Sequence, residues 1–339
     1  MTATATAAAD ALRASRPRVA CVGVYIVDVL GRPVTELPVG QRALILDEIR
    51  MTAAGTGGGT AVDLARLGAD VLAVGAIGRD HIGDFLLSML GQERVDTTHV
   101  VRRDDGTQTS ATMLPIHPDG SRPAFHVPGA NMTLAAADLP WEQIERCDVL
   151  HLGGLGALPA LDGEPAAEML SRARAAGLTT TADCLGVKRD DFLDLLRLCL
   201  PHVDLFMPND GEALEMTGEA DVVAAARVLH DLTAGGGGAI VVKCGGDGAL
   251  IVNADGERRI PAFDAPVVDT TGCGDAFCAG TIVARAAGWP LDDACRLGAA
   301  TGALNMRGLG SDAGARDVDE ALAFLAATPT RPAPQPAEA

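Results

Sequence analysis

At 339 residues, 48% of them hydrophobic but only 3% aromatic, the chain can fill the core of a single large α/β unit with Ala, Val, Leu and Ile. Its formal net charge of −18 argues against a nucleic-acid partner, which wants a basic face, and against an anionic membrane surface. It leaves room for a phosphorylated ligand held by backbone dipoles. No apolar run reaches membrane-spanning length, and the Thr/Ala-rich start lacks the features of a signal peptide. Eight cysteines without metal spacing read as free thiols in a reducing cytoplasm.

Residues 1–16 read as a disordered tail. Strand Val19–Val24 follows, then a β-rich segment, Val29–Ile49, with no helical period. Helix Ala61–Leu67, strand Val71–Ala76 and helix Gly83–Met89 come next, before a second β-rich segment, Thr109–Val127. The rhythm then continues through strand Val149–Leu152, helix Pro165–Ala175, strand Leu178–Ala182, helix Asp190–Leu200 and strand Leu205–Met207. Helices Asp210–Met216 and Val222–Thr233 precede strands Ala239–Lys243 and Leu250–Val252. An extended run, Ile260–Val268, leads to helices Ala276–Ala287 and Leu291–Asn305, and a Pro/Ala-rich tail fills 330–339. Strands without polar alternation predict a mostly parallel sheet covered by helices on both faces. The unit spans 17–329, with the two β-rich segments, about 29–52 and 108–128, forming a small sheet over the ligand.

Four glycine- or acid-marked turns fall in this pattern. Asp269-Thr-Thr-Gly-Cys-Gly-Asp275 opens a helix, where unpaired N–H groups attract phosphate. The acid at its end is either an ordinary first-turn residue or a proton acceptor beside that phosphate. Gly55-Thr-Gly-Gly-Gly59, with Asp80 beyond, is similar to a dinucleotide fingerprint. The preceding Asp47–Ala53 is polar and alternating rather than a buried strand, so close approach of a polyhydroxylated ligand fits better. In Pro208-Asn-Asp-Gly-Glu212, Asn209 and Glu212 read as a capping box or as a phosphate–Mg²⁺ site. Lys243-Cys-Gly-Gly-Asp-Gly248 reads as a hairpin turn or as a nucleotide loop. Asp28, just after the first strand, is a cap or a ligand contact. The seven histidines show no metal spacing.

Together with Gly75–Gly83 and Gly129-Ala-Asn131, these motifs resemble, in order and spacing over 18–327, the ribokinase-like sugar kinases, the PfkB carbohydrate kinase family. The resemblance implies a three-layer α/β/α domain with a small β-sheet lid, and an ATP-dependent kinase of a hydroxymethyl group. It makes Asp275 the general base, ionised at neutral pH if its pKa is the unperturbed value of about 3.9. The N–H groups of Gly272, Cys273 and Gly274 become the anion hole, with Cys273 standing where Ala is usual. Asp28, Gly55, Thr56 and Asn131 are implied on the sugar side, and Asn209, Glu212, Lys243, Gly245 and Gly248 on the nucleotide side. Asn209 and Glu212 would organise Mg²⁺ through water. Asp269 and Thr271 match part of a site for a monovalent cation such as K⁺, facing 307–311. The lid often forms a homodimer contact. Thr56, Gly59, Ile26 and Gly154 replace polar ribose-binding residues, so ribose is disfavoured. Fructose-like and keto-deoxy sugars stay open, as does a nucleoside, with Phe125 as the lid aromatic to cover a base. A non-catalytic sugar sensor is the remaining alternative.

Overall fold

The computed structural model describes residues 3–186, 190–233 and 237–331. Its strands are β1 Arg18–Gly23, β2 Ile26–Arg32, β3 Glu48–Ala54, β4 Asp70–Val74, β5 Ala76–Gly78, β6 Val101–Arg103, β7 Ala111–Pro115, β8 Phe125–Val127, β9 Val149–Leu155, β10 Thr179–Cys184, β11 Leu205–Phe206, β12 Ala239–Lys243, β13 Ala249–Asn253 and β14 Gly256–Ile260. Its helices are α1 Ala3–Ala14, α2 Gly58–Arg66, α3 His81–Gln92, α4 Trp141–Ile144, α5 Glu164–Ala175, α6 Phe192–Cys199, α7 Asp210–Thr217, α8 Val222–Asp231, α9 Cys273–Ala286, α10 Leu291–Asn305 and α11 Val318–Ala327.

An eight-stranded sheet runs β14-β13-β12-β11-β10-β9-β1-β4. It is parallel from β4 to β12 and antiparallel only in the β12–β13–β14 meander. Alternate residues of each strand serve opposite layers. In β1, Ala20 and Val22 pack with α5–α8, whereas Val19 and Cys21 pack with α1–α3 and α9–α11. Burial on both faces is why these strands show no polar alternation. This is the three-layer arrangement expected from the sequence.

The small sheet runs β3-β2-β7-β8. Here β7 alternates, because one face of the sheet is buried and the other is open. Asp28, Leu30, Thr52, Thr112 and Leu114 point inward and are buried. On the outer face, register aligns Met51, Val29, Met113 and Phe125 in one row, and Met51, Met113 and Phe125 are exposed.

Three expectations need correction. Residues 3–14 form α1 rather than a disordered tail. The run is rich in Ala, the best helix former, and it places Ala9 and Leu12 one turn apart in the core. Trp289 Nε1 also donates to the Ala8 carbonyl at 3.0 Å. The run Ile260–Val268 is not a strand: β14 ends at Ile260, and Pro261 and Pro266 have no N–H to give a ladder. Helix α9 therefore follows a loop. At the other end, Thr330 bridges Phe263 and the Arg331 N–H donates to Ala262 O at 2.8 Å, while 332–339 lie outside the described residues. Among the described residues no helix is long and apolar enough to cross a membrane.

If α1 is docked as described, Leu12→Ala, at a site only 1% exposed, removes a buried anchor. It should lower unfolding free energy by about 2–5 kcal/mol in urea titration. A change below about 0.5 kcal/mol, the scale of a surface substitution, would mean the helix is not docked.

Candidate active site

The turn at 272–274 is built around one backbone constraint. Gly272 sits at the N-cap of α9 in the left-handed region (φ 76°), and a Cβ there would stand 2.5 Å from Ser311 Cα. Only glycine meets both demands. The N–H groups of the first helical turn have no intrahelical acceptor and face the cleft with the positive end of the helix dipole. Cys273 lies half-buried in that turn, with its thiol 3.8 Å from Asn305 Nδ2.

Asp275 follows in the same turn, only 9% exposed. Its Oδ2 lies 2.6 Å from the point where a Gly59 Cβ would stand, so glycine at the start of α2 makes the room the carboxylate occupies. Burial, then the negative charge of Asp183, push the Asp275 carboxyl up to about 8, against the pull of Lys243. The surroundings thus oppose the unperturbed, ionised acid that the sequence suggests: a value near 8 favours the protonated form of Asp275 at neutral pH.

Lys243 ends β12, and its Nζ pairs with Asp183 Oδ2 at 2.8 Å. Burial disfavours the ammonium, but Asp183, helped by Cys278 and Glu212, outweighs it and holds the lysine above its ordinary range. The same Nζ lies 3.3 Å from where a Gly274 Cβ would be, so the cation stands against the anion turn. Asn209 and Glu212 do form the capping box: Asn209 Oδ1 accepts the Glu212 N–H at 2.8 Å, and Glu212 Oε2 accepts the Asn209 N–H at 2.8 Å. Both also border the cavity, so the structural and functional readings coexist. Burial and Asp183 raise the Glu212 carboxyl. Asp183, Cys184 and Glu212 offer ligand atoms within 4.8 Å of one another.

Asp269 is buried beneath the turn. Its Oδ1 accepts the Thr271 N–H (3.0 Å) and Oγ1–H (2.8 Å), and its Oδ2 accepts the Gly310 N–H (2.9 Å). Asn305 Nδ2 donates to Thr271 O at 2.6 Å. Arg122 reaches across from the lid onto Thr270, Thr271 and Asp269.

On the lid side, burial pushes the Asp28 carboxyl up to about 6, against the help of Thr112 and Arg122. Thr56 borders the cavity, and its Oγ1 has no hydrogen-bond partner. Gly55 lies behind it, in the turn that brings β3 into α2. Asn131 is buried and does not line the cavity described below: its Oδ1 accepts the Tyr25 N–H at 3.1 Å and its Nδ2 donates to Tyr25 O at 3.0 Å. It braces the β1–β2 turn instead.

One cavity of about 580 Å³ gathers Thr56, Asn209, Glu212, Lys243, Gly245, Gly248, Gly272, Cys273, Gly274 and Asp275. It also takes in Asp183 and Arg122, which sequence reasoning missed. Asp183 was findable, as an acid beside the end of a buried strand; Arg122 lies in a lid turn without periodic signal. A larger cavity, about 730 Å³, opens between Val149, Thr179, Asp204 and Arg285 at the opposite strand ends, away from these groups. In open α/β sheets ligands sit beyond the carboxyl ends of the strands, so the first cavity is the site. Phe125 belongs to the outer lid row and does not overhang the cavity.

A family model described as pfkB family carbohydrate kinase matches residues 16–317. The chain is 27% identical over 278 residues to a ribokinase of Haemophilus influenzae, covering 80% of this chain and 86% of that protein. It is 29% identical over 251 residues to a cytidine kinase of Thermococcus kodakarensis, covering 72% and 84%. The structure of Arabidopsis thaliana ribokinase complexed with ribose and ATP superposes with a TM-score of 0.75 at 23% identity, covering 92% of this chain and 99% of that one. That likeness establishes the fold.

The raised Asp275 pKa has a consequence for folding. Between about pH 4 and 8 the native state keeps a proton that the unfolded state has released, so stability falls as pH rises through that window. Asp275→Asn lacks the group. Its melting temperature should match the parent's near pH 4 and exceed it increasingly up to pH 8. A gap independent of pH would show that Asp275 is not protonated in the folded protein.

Proposed function

The chain belongs to the PfkB family of carbohydrate kinases and is an ATP-dependent phosphotransferase; we propose that it phosphorylates a hydroxymethyl group of a sugar held under the lid. The observation that carries this reading is the position of Asp275, in the first turn of α9 beside the anion turn and within charge range of both Asp28 and Lys243. ATP would lie along Asn209, Glu212, Lys243, Gly245 and Gly248, with its terminal phosphate against 272–274. The sugar would lie against Asp28, Gly55 and Thr56.

Asp275 then takes the hydroxyl proton, late in transfer, as the acceptor oxygen bonds to the terminal phosphorus and the bond from that phosphorus to its bridging oxygen breaks, ADP leaving with that oxygen. The Cys273 and Gly274 N–H groups and Lys243 stabilise charge on the moving phosphoryl. Asp183 and Glu212 fit a hard divalent cation, and Glu212 and Asn209 would hold Mg²⁺ through water. When bound, Mg²⁺ neutralises phosphate oxygens. Asp183 keeps the lysine charged and in place. Lys243, already within charge range of Asp275, favours its ionised form.

A sugar is favoured over a nucleoside. The lid's candidate base-covering ring, Phe125, is turned to the outer face. The cytidine kinase similarity keeps nucleosides in any substrate panel. The outer row of Met51, Met113 and Phe125 supports a homodimer formed lid to lid, since an apolar sheet face of this kind is normally covered. Eight free cysteines, seven of them buried, accord with a cytoplasmic location.

ADP release should be followed against ketoses, keto-deoxy sugars and nucleosides with Mg²⁺. Asp275→Asn should lower kcat by about 10²–10⁴-fold, the usual contribution of a general base. In the parent, kcat/KM should climb about tenfold per pH unit toward a plateau near 8, because the free enzyme must first lose the Asp275 proton. Unimpaired turnover by Asp275→Asn defeats the assignment. Sedimentation should give a dimer for the parent and a monomer for Met113→Glu; a monomeric parent removes the lid contact.

A further inference from the structure

Arg122 belongs to the turn between β7 and β8 of the lid, yet its guanidinium is bonded to the opposite wall of the cleft. Nη1 donates to Thr271 Oγ1 at 2.6 Å, and Nη2 donates to Thr270 Oγ1 at 3.2 Å. Nε lies 3.8 Å from Asp269 Oδ1. Across the same gap, the Arg122 charge also eases the burial of Asp28. One cation thus faces an acid on each side of the reacting space.

Asp269 needs such a partner. Its carboxylate is 2% exposed and stands directly under a turn meant to hold phosphate. The hydrogen bonds from Thr271 and Gly310 come from neutral donors. A buried carboxylate without a countercharge is costly, and it would repel the ligand's phosphate. Among the described residues, its one ion pair is with Arg122. The other lid arginines nearby are committed elsewhere, Arg50 to Asp312 at 2.9 Å and Arg32 to Glu48 at 2.7 Å. The expected seat of a monovalent cation, Asp269 with Thr271, is therefore already faced by a guanidinium. The planar fork of arginine suits two hydroxyls and a carboxylate in a way that a spherical ion does not.

We propose that Arg122 is a positioning residue that does the work of a monovalent cation beside Asp269 and, being carried by the lid, fastens the lid to the anion turn. Its role in phosphoryl transfer rests on the kinase reading above. The latch itself does not. It makes sugar-side closure and the phosphate-binding turn one mechanical unit, so that acceptor and nucleotide bind with positive coupling.

The test compares the parent, Arg122→Ala and Arg122→Lys in K⁺ and in tetramethylammonium at equal ionic strength. Hydrogen exchange in the ligand-free protein reads the latch alone. In the parent it should be indifferent to the cation. In Arg122→Ala, exchange should rise about tenfold or more at both 117–124 and 270–274. K⁺ should then restore protection at 270–274 but not in the lid, because an ion replaces the charge and not the tether. Calorimetry with Mg·ADP reads the ligand side. The parent's affinity should be the same in both salts, and that of Arg122→Ala should be weaker by about tenfold in tetramethylammonium and partly recovered in K⁺. Arg122→Lys, which keeps the charge but not the fork, should fall between them. A parent whose anion turn is protected only in K⁺, or an Arg122→Ala variant with parental exchange in both segments, overturns the proposal. A parent that fails to bind Mg·ADP in either salt would sink the kinase reading, while the exchange result still decides the latch.

Discussion

Lys243 sits where β10, β12 and α9 converge, and its single positive charge organises a site crowded with acids. Asp183 holds it at 2.8 Å, and Glu212 and Asp275 share its field. Carboxylates packed this closely cannot all ionise in a cleft that excludes water. Burial first, and then the neighbouring acids, push Asp275 to about 8 while the lysine stays charged; burial likewise pushes Asp28 to about 6. Such a site binds a polyanion only if positive charge comes from elsewhere. Here it comes from backbone N–H groups at a helix end, from a lid arginine, and from any cation that accompanies the ligand. A chain of net charge −18 can therefore handle phosphate without any basic surface.

Small residues make this crowding possible. Asp275 fits against α2 only because position 59 has no side chain, and the anion turn closes on Ser311 only because position 272 has none. Thr56 keeps an unpaired hydroxyl at the cavity wall.

The parts of this site that were legible in sequence are those where local backbone demands and chemistry coincide. Glycine turns at helix starts and the Asn209–Glu212 box announce themselves by residue type and spacing. The sheet was legible too, since strands buried on both faces cannot alternate. What stayed hidden depends on tertiary partners. Asn131 bonds through both ends of its amide to Tyr25, which is more than 100 positions away. Asp183 is one acid at a strand end until Lys243 arrives beside it. An Ala-rich start reads as a tail because low hydrophobicity and high helix propensity look alike until α1 packs on α11 and buries Leu12.

The lid shows how one period-two pattern can serve three ends. Its inner row places Asp28, Thr112 and His126 side by side, with Thr112 Oγ1 3.0 Å from His126 Nδ1, so the sugar-side acid is steered by its neighbours in the sheet. Its outer row is apolar and open. Its turn carries Arg122 to the far wall. A one-residue slip of β2 against β7 would exchange the first two faces, exposing an acid outward and burying methionines over the reacting groups. Register in this small sheet is therefore set by chemistry on one side and by hydrophobic burial on the other. The antiparallel β2–β3 pair and the parallel β2–β7 pair, each extending over several residues, keep it from slipping. The charge of Arg122, carried at the lid's tip, is felt at Asp28 in its centre.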